Sequence, residues 1–127
     1  MKKTIFEDGV IYINGGKIDD IDNISWQKHP KFEGVFTKNL FFAKDSDNML
    51  SSMLVKIESN QEIGNHIHEG KAELHEVIYG EGDTEVGDSN IKYTPGVISL
   101  IPADIPHSVK ASPTGLILLA LFTPPLD

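Results

Sequence analysis

The most informative segment of the 127-residue chain reads Asn65-His66-Ile67-His68-Glu69-Gly70-Lys71-Ala72-Glu73-Leu74-His75-Glu76-Val77-Ile78-Tyr79-Gly80. Three of the five histidines of the protein fall in this segment. Side chains two residues apart on a β-strand point to the same face, so His66 and His68 can present two imidazoles side by side while Ile67 points the other way. This spacing predicts that the two imidazoles can bind the same metal ion.

Further ligands can come from other parts of the chain. Four residues separate His68 from Glu73 and give the chain room to turn. Glu73 begins the next alternating run, from which it can add a carboxylate. His107 can supply a fourth ligand from far along the sequence. Because the chain contains no cysteine, any metal must be held by imidazole, carboxylate or main-chain oxygen.

Short apolar or alternating runs recur at intervals of roughly ten residues, separated by Gly, Pro, Asn and Asp, and this pattern is typical of an all-β domain. The runs cover residues 9–13, 35–42, 49–57, 73–79, 84–86, 97–101, 107–110 and 116–122. Gly80-Glu81-Gly82 and Ser112-Pro113-Thr114-Gly115 are among the predicted turns. The segment around Ile18 and Ile21 is expected to be loop or brief helix, and no long helix is predicted.

The last run, residues 116–122, is apolar on both faces. Such a strand is buried either between two sheets or against a subunit partner, and Pro124-Pro125 then ends it. The second case would place an oligomer contact there. Without an internal repeat, linker or low-complexity tract, one domain is expected to cover residues 1–127.

The composition argues against several kinds of partner. The formal net charge of −8 repels a polyanion, and no cluster of Lys and Arg offsets it locally, so nucleic-acid binding is not expected. The longest apolar run is far short of the ~20 residues that cross a bilayer, so no membrane span is expected. Met1-Lys2-Lys3 is basic like the start of a signal peptide, but Glu7-Asp8-Gly9 arrives before any useful apolar stretch, which predicts a cytoplasmic location.

At two short motifs the sequence resembles the cupin superfamily, whose members are small double-stranded β-helix barrels. The first family motif reads Gly, five residues, His-any-His, three or four residues, Glu, six residues, Gly. His66, His68, Glu73 and Gly80 fit that spacing. Asn60 stands in place of the opening glycine, a mild departure because Asn tolerates a positive φ better than other non-glycine residues.

The second family motif reads Gly, five residues, Pro-any-Gly, two residues, His, three residues, Asn. Gly96, Pro102 and His107 match it in order, while Asp104 replaces the second Gly and Ala111 the final Asn. The resemblance covers residues 50–122 and implies an all-β jelly-roll cupin barrel, with the N-terminal strands of residues 1–49 in the same domain.

The resemblance also implies a ligand set: His66, His68, Glu73 and His107 point into the barrel and bind one divalent ion, with positions left open for water or substrate. Nitrogen and oxygen ligands without sulfur suit Fe(II), Mn(II), Ni(II), Cu(II) or Zn(II), and ligand type alone does not choose among these metals.

A second alignment with the first family motif leaves the identity of the fourth ligand open. Counting six residues from His75 to Gly82 makes His75 the ligand, as in cupins that use four histidines, and leaves Glu73 outside the coordination sphere. Glu73 is preferred because Gly80-Glu81-Gly82 followed by residues 83–87 is typical of the family's hairpin after that glutamate.

His75 is also the candidate catalytic residue. On the strand it shares the face of Glu73, as do Val77 and Tyr79, so it is expected to face the same cavity, where it could carry a proton. The alternative is a buried, hydrogen-bonded histidine with no catalytic duty.

Two classes of function remain open, because cupins carry out dioxygenation, decarboxylation, isomerisation, lyase chemistry and simple ligand binding. The favoured class is a metalloenzyme that acts on a small oxygenated metabolite, such as a keto acid, a uronate-like sugar or a phenolic compound. The other is a non-catalytic ligand-binding or sensor protein with a structural metal, suggested by the short chain. The resemblance and the apolar last run also predict a homodimer.

Overall fold

A computed structural model describes residue 6 and residues 8–126, and most of this part of the chain is β-strand. The strands are β1 (Val10–Ile13), β2 (Gly16–Asp20), β3 (Gln27–Lys28), β4 (Val35–Phe41), β5 (Ser51–Ile57), β6 (Glu62–His66), β7 (Ala72–Val86), β8 (Ser89–Tyr93), β9 (Ile98–Ile101) and β10 (His107–Thr123). Short 3-10 helices cover Ile21–Asn23 and Ala43–Ser46. The predicted all-β class is confirmed; Met1-Lys2-Lys3 and Glu7, used in the localisation prediction, lie outside the described residues.

Two long strands, β7 and β10, organise the fold. The first half of β7 pairs with residues 116–123 of β10, and its second half, residues 82–86, pairs with residues 107–111. Next to the first half of this ladder, β5, β4 and β3 follow on the side of β10, and β9 pairs with β7 on the other side. Next to the second half, β6 pairs with β10 and β8 pairs with β7. These antiparallel pairings give two layers that share β7 and β10, as predicted for a jelly-roll barrel.

Both long strands bend where one layer becomes the other. The register shifts between Gly82 and Gly80, so that residues 112–115 bulge opposite Glu81. Gly80 has a φ of 79°, and an added Cβ at either glycine would collide with a carbonyl oxygen of β10. Glycine is required at this corner because a β-carbon would occupy the space of the facing backbone.

The prediction that Gly80-Glu81-Gly82 and Ser112-Pro113-Thr114-Gly115 form turns is wrong. Both segments lie inside long strands, so that each of β7 and β10 was predicted as two separate runs. Missing β-carbons allow a strand bulge as readily as a chain reversal, and local sequence does not separate the two. The turn that follows β7 lies at Gly87-Asp88, within the segment 87–90 that was also predicted as a turn.

Two apolar clusters hold the layers together. The larger lies between the layers and is formed by Val35, Val55, Ile57, Val77, Tyr93, Val109, Ala111, Leu116, Leu118, Ala120 and Phe122. The smaller is formed by Ile11, Ile21, Leu40 and Leu54, where the N-terminal segment covers the outer face. Leu118 belongs to the larger cluster and Leu119 packs against the smaller one. Burial within the chain therefore accounts for the two apolar faces of the last run.

Three short strands, β2, β3 and β8, were not predicted because their sequences are mostly polar. The strand expected to carry both His66 and His68 is β6, which ends at His66. The segment expected to be loop or brief helix contains β2 followed by a one-turn 3-10 helix. No helix in the described part of the chain has the length and apolar character of a membrane span.

Replacing Gly82 by alanine should lower the free energy of unfolding by about 2 kcal/mol or more, because the added Cβ must push β10 away. Gly16→Ala is the matched control, since a Cβ there makes only an ordinary contact of 3.6 Å with the carbonyl oxygen of Ile13. Urea denaturation of both variants measures the effect. An unchanged midpoint for Gly82→Ala would contradict the requirement for glycine at the corner.

Candidate metal centre

Four side chains meet at one end of the barrel. His66 ends β6, His68 follows in the next loop, Glu73 lies near the start of β7 and His107 begins β10. His107 lies directly opposite His66 in the pairing of β10 with β6. The potential ligand atoms of the four residues all lie within 4.8 Å of one another. The fold thus brings together all four residues that the sequence singled out.

Backbone carbonyls orient two of the imidazoles. His66 Nδ1 lies 2.7 Å from the carbonyl oxygen of Gly64, and His107 Nδ1 lies 2.9 Å from that of Ile105. Because a carbonyl oxygen only accepts, each Nδ1 carries the hydrogen and donates it. In the neutral ring Nε2 is then free to act as a ligand, the arrangement that commonly orients metal-binding histidines.

The Glu73 carboxylate lies at the centre of the group and is 6% exposed. Its Oε1 is 3.0 Å from His107 Nε2 and 3.5 Å from His68 Nε2. Its Oε2 is 2.7 Å from His75 Nε2. Burial opposes ionisation, but hydrogen bonds from His107 and His75 outweigh it, so the pKa of Glu73 is held well below its usual range. The carboxylate is therefore ionised at neutral pH.

The imidazoles differ in proton affinity. Burial lowers the pKa of both His66 and His68 below the ordinary histidine value. Burial acts in the same direction on His107, but its hydrogen bond with Glu73 outweighs this effect and raises the pKa of His107. His66 and His68 are accordingly neutral near pH 7 and have lone pairs available.

The donor set fits a divalent transition metal. Three imidazole nitrogens and one carboxylate oxygen converge, and His107 Nε2 faces Glu73 Oε1 at 3.0 Å, so that a proton or another cation must lie between these two atoms. A metal ion placed among the four side chains can take the place of that proton. Such a group could therefore hold one metal ion of the kind that prefers nitrogen and oxygen ligands.

His75 lies behind Glu73 and does not belong to the group of four. It is 3% exposed. Its Nε2 contacts Glu73 Oε2, and its Nδ1 lies 2.8 Å from the hydroxyl of Tyr93. Both ring nitrogens are thus engaged away from the histidine cluster, and this geometry favours Glu73 over His75 as the fourth ligand.

The alternation that placed Tyr79 on the same face as His75 ends before it reaches Tyr79. The register of β7 against β10 shifts between Val77 and Tyr79, and a bulge of this kind turns the following side chain away. Tyr79 lines a separate surface groove with Glu58 and Thr114. The period-two pattern holds only as far as Val77.

A cavity of ≈ 270 Å³ adjoins the four-residue group. It is lined by His29, Lys31, Phe32, Thr37, Met53, Val55, Ile63, His66, Ile67, His68, Glu73, Phe122 and Leu126. Most of the wall is apolar, and the Phe122 ring packs edge-on against His68 at 5.0 Å. The cavity offers room for a small molecule beside the metal ligands.

His29 is half-buried and lines this cavity. Its Nδ1 accepts hydrogen bonds from the backbone nitrogens of Lys31 and Phe32 at 3.1 and 3.3 Å. This part of the site was not predicted from the sequence, because a polar loop beside Pro30 has no periodicity that would indicate its position against the barrel.

Asp104 joins the loop that carries His68 to the loop that precedes His107. Its Oδ1 accepts a hydrogen bond from the backbone nitrogen of Gly70 at 2.9 Å, and its own backbone nitrogen donates to the carbonyl of His68 at 3.3 Å. Asp104 has a φ of 68°, and Asn60, the other residue in place of a motif glycine, has a φ of 61°. Both substitutions thus keep the left-handed backbone that the motif requires.

Residues 53–122 match the family model of the cupin domain. Comparison with curated proteins finds no significant match.

Several solved structures share the fold. A predicted oxalate decarboxylase from Thermotoga maritima is 20% identical, with a TM-score of 0.76 over 81% of this chain and 95% of that one. Ectoine synthase from P. lautus is also 20% identical, with a TM-score of 0.75 over 87% and 79%. KdgF from Halomonas sp. is 22% identical, with a TM-score of 0.71 over 81% and 88%. At these identities the likeness establishes the fold alone.

Metal affinity should rise between about pH 6 and pH 8, because protons compete for His107, whose pKa is raised, more strongly than for His66 and His68, whose pKa values are lowered. Isothermal titration of metal-free protein with Co(II), in buffers of different ionisation enthalpy, measures both the affinity and the protons released. His107→Gln should weaken binding and flatten the pH dependence, whereas His29→Gln should change neither. Equal wild-type affinity at both pH values would contradict this assignment of the protons.

Proposed function

The chain belongs to the cupin family, and we propose that it is a metal-dependent cupin enzyme that acts on a small oxygenated metabolite. The observation that carries this proposal is the group of four potential ligands, within 4.8 Å of one another, of which His66, His68 and Glu73 line a cavity of ≈ 270 Å³. His66, His68, Glu73 and His107 would hold one divalent ion, drawn from Fe, Mn, Ni, Zn and Cu. When bound, such an ion can polarise a carbonyl group or activate dioxygen.

The cavity favours a small anionic substrate. Its volume lies below the ~300–1,000 Å³ of sites for drug-sized ligands. Three neutral imidazoles and one carboxylate leave a net positive charge once a divalent ion is bound. Lys31 is the only lysine or arginine among the described residues that line the cavity. A keto acid or a uronate-like sugar is therefore favoured over a neutral phenolic compound.

The apolar wall has two functions in this proposal. Met53, Val55 and Phe122 exclude water from one side of the ligand group and match the carbon skeleton of a small metabolite.

His75 lies behind Glu73, so that it acts on the reaction through that carboxylate and not by contact with the substrate.

The enzyme proposal predicts turnover that depends on the ligand group. Protein reconstituted separately with each of the five metals is incubated with 2-keto acids, uronates and phenols, and products are identified by mass spectrometry. At least one carboxylate should be converted, with a loss of about 100-fold or more in His66→Ala and no loss in the exposed control Glu62→Gln. Lys31→Met should raise KM for the carboxylate about 5- to 10-fold without affecting neutral compounds.

The second class of function, a non-catalytic ligand-binding or sensor cupin with a structural metal, gives a different result in the same screen. A carboxylate would raise the melting temperature of the metal-loaded protein and be recovered unchanged. Turnover in His66→Ala equal to that of the wild type would contradict both the enzyme proposal and the metal's role in it.

We also propose a homodimer formed by a second copy at β9. Ile98 and Leu100 are 64% and 65% exposed on this strand, which pairs only with β7 among the described strands. An apolar edge strand invites further pairing, and a strand can pair antiparallel with its own copy across a two-fold axis. The cytoplasmic location stays a prediction from the sequence.

Sedimentation velocity at micromolar concentration should show a dimer for the wild type and a monomer for Leu100→Glu, because the variant buries a charge in the interface. Ile18→Glu, at a residue 54% exposed on β2, is the matched control and should stay dimeric. A monomeric wild-type protein would refute the dimer.

A further inference from the structure

Behind the ligand group, three buried polar side chains form a chain of hydrogen bonds. Tyr93 is 0% exposed, His75 3% and Glu73 6%. The Tyr93 hydroxyl lies 2.8 Å from His75 Nδ1, and His75 Nε2 lies 2.7 Å from Glu73 Oε2. Neither His75 nor Tyr93 lines the cavity, so substrate contact does not account for them.

The chemistry of the three groups sets the direction of these hydrogen bonds. An ionised carboxylate only accepts, so His75 Nε2 must carry a hydrogen and donate it to Glu73. The neutral ring then has a lone pair on Nδ1, which accepts from the Tyr93 hydroxyl. The carboxylate of Glu73 thus sets the His75 tautomer, and the Tyr93 hydroxyl, which can donate or accept, pairs with the remaining lone pair on Nδ1.

This series of hydrogen bonds gives the two carboxylate oxygens of Glu73 different surroundings. Oε2 is occupied by His75, whereas Oε1 lies 3.0 Å from His107 Nε2 and 3.5 Å from His68 Nε2. We propose that His75 and Tyr93 are positioning residues that hold Glu73 so that it offers only Oε1 to the metal, which keeps a coordination position free for substrate. The inference rests on the proposed metal site and assigns a role to residues outside the ligand set.

A purely structural role explains the arrangement less well. An apolar side chain at position 75 would fill the core without needing partners, and replacing buried polar groups by well-packed apolar ones is often neutral or stabilising. Val77 occupies the next inward position of β7 as part of the larger apolar cluster. The inward-facing residue at position 75 is therefore polar, unlike Val77, and its side chain contacts a potential metal ligand.

Two substitutions at His75 separate positioning from packing. The amide of glutamine can reach the place of Nε2 and still donate to Glu73, whereas the shorter amide of asparagine cannot. His75→Asn should therefore weaken Co(II) binding about 10- to 100-fold, the usual effect of losing a group that orients a metal ligand. It should also change the Co(II) d–d absorption spectrum, since Glu73 becomes free to bind through both oxygens. His75→Gln should retain the spectrum and most of the affinity.

Two further variants complete the experiment. Tyr93→Phe removes only the hydroxyl and should weaken Co(II) binding less than His75→Asn does, because His75 can still donate in one of its tautomers. Val77→Ala opens a cavity on the same face of β7 and should lower the melting temperature without changing the affinity or the spectrum. Long-range ¹⁵N–¹H correlation spectra of the metal-free protein should show His75 with its hydrogen on Nε2, a measurement that needs no metal.

The outcomes distinguish this inference from the proposed function. A wild-type protein that binds no Co(II) overturns the metal site, and the positioning role with it. A wild type that binds Co(II), together with a His75→Asn variant of equal affinity and unchanged spectrum, overturns only the positioning role. That role is also overturned if Val77→Ala alters affinity as much as His75→Asn does, because the effect would then follow stability.

Discussion

The antiparallel pairing of β7 with β10 is the constraint on which the rest of the structure depends. At one end of this ladder Glu73 lies opposite Phe122, and at the other end His107 lies opposite Val86. In a flat sheet the two ends would be far apart. Because both strands bend at the glycine corner, the ladder folds back on itself, and Glu73 Oε1 comes within 3.0 Å of His107 Nε2. The same bend that makes two layers thus also assembles the ligand group.

The ligand group is held by contacts of two kinds. Backbone carbonyls of Gly64 and Ile105 fix the rings of His66 and His107, so that ring orientation follows directly from the course of β6 and of the loop before β10. Glu73 is fixed instead by a side chain, His75, which is itself fixed by Tyr93. The backbone contacts survive substitution of neighbouring side chains, whereas the orientation of Glu73 depends on the identity of residues 75 and 93.

Much of the site could be predicted from the sequence because it follows the period of a strand. Residues two apart share a face, and this places Glu73 beside His75 on β7. His68 lies near His66 although it follows the end of β6, and Ile67, expected to point the other way, lines the same cavity. The period does not say how deep a side chain lies, and so it could not place His75 behind Glu73. The corner at Gly80 and Gly82 was mistaken for a turn, since the absence of a β-carbon permits both. His29, Lys31 and Phe32 were not predicted to line the cavity because their loop has no periodic pattern and meets the site only through the tertiary fold.

The cavity is built from two parts of the chain that differ in their relation to the family. The four potential ligands all lie in residues 53–122, which match the cupin domain. The cavity wall formed by His29, Lys31, Phe32, Thr37 and Leu126 comes from segments on either side of that region. Residues that would recognise a substrate can therefore be exchanged without disturbing those that would hold the metal. Substitutions in the flanking segments would therefore alter what this cavity accepts, with the four potential ligands of the barrel left in place.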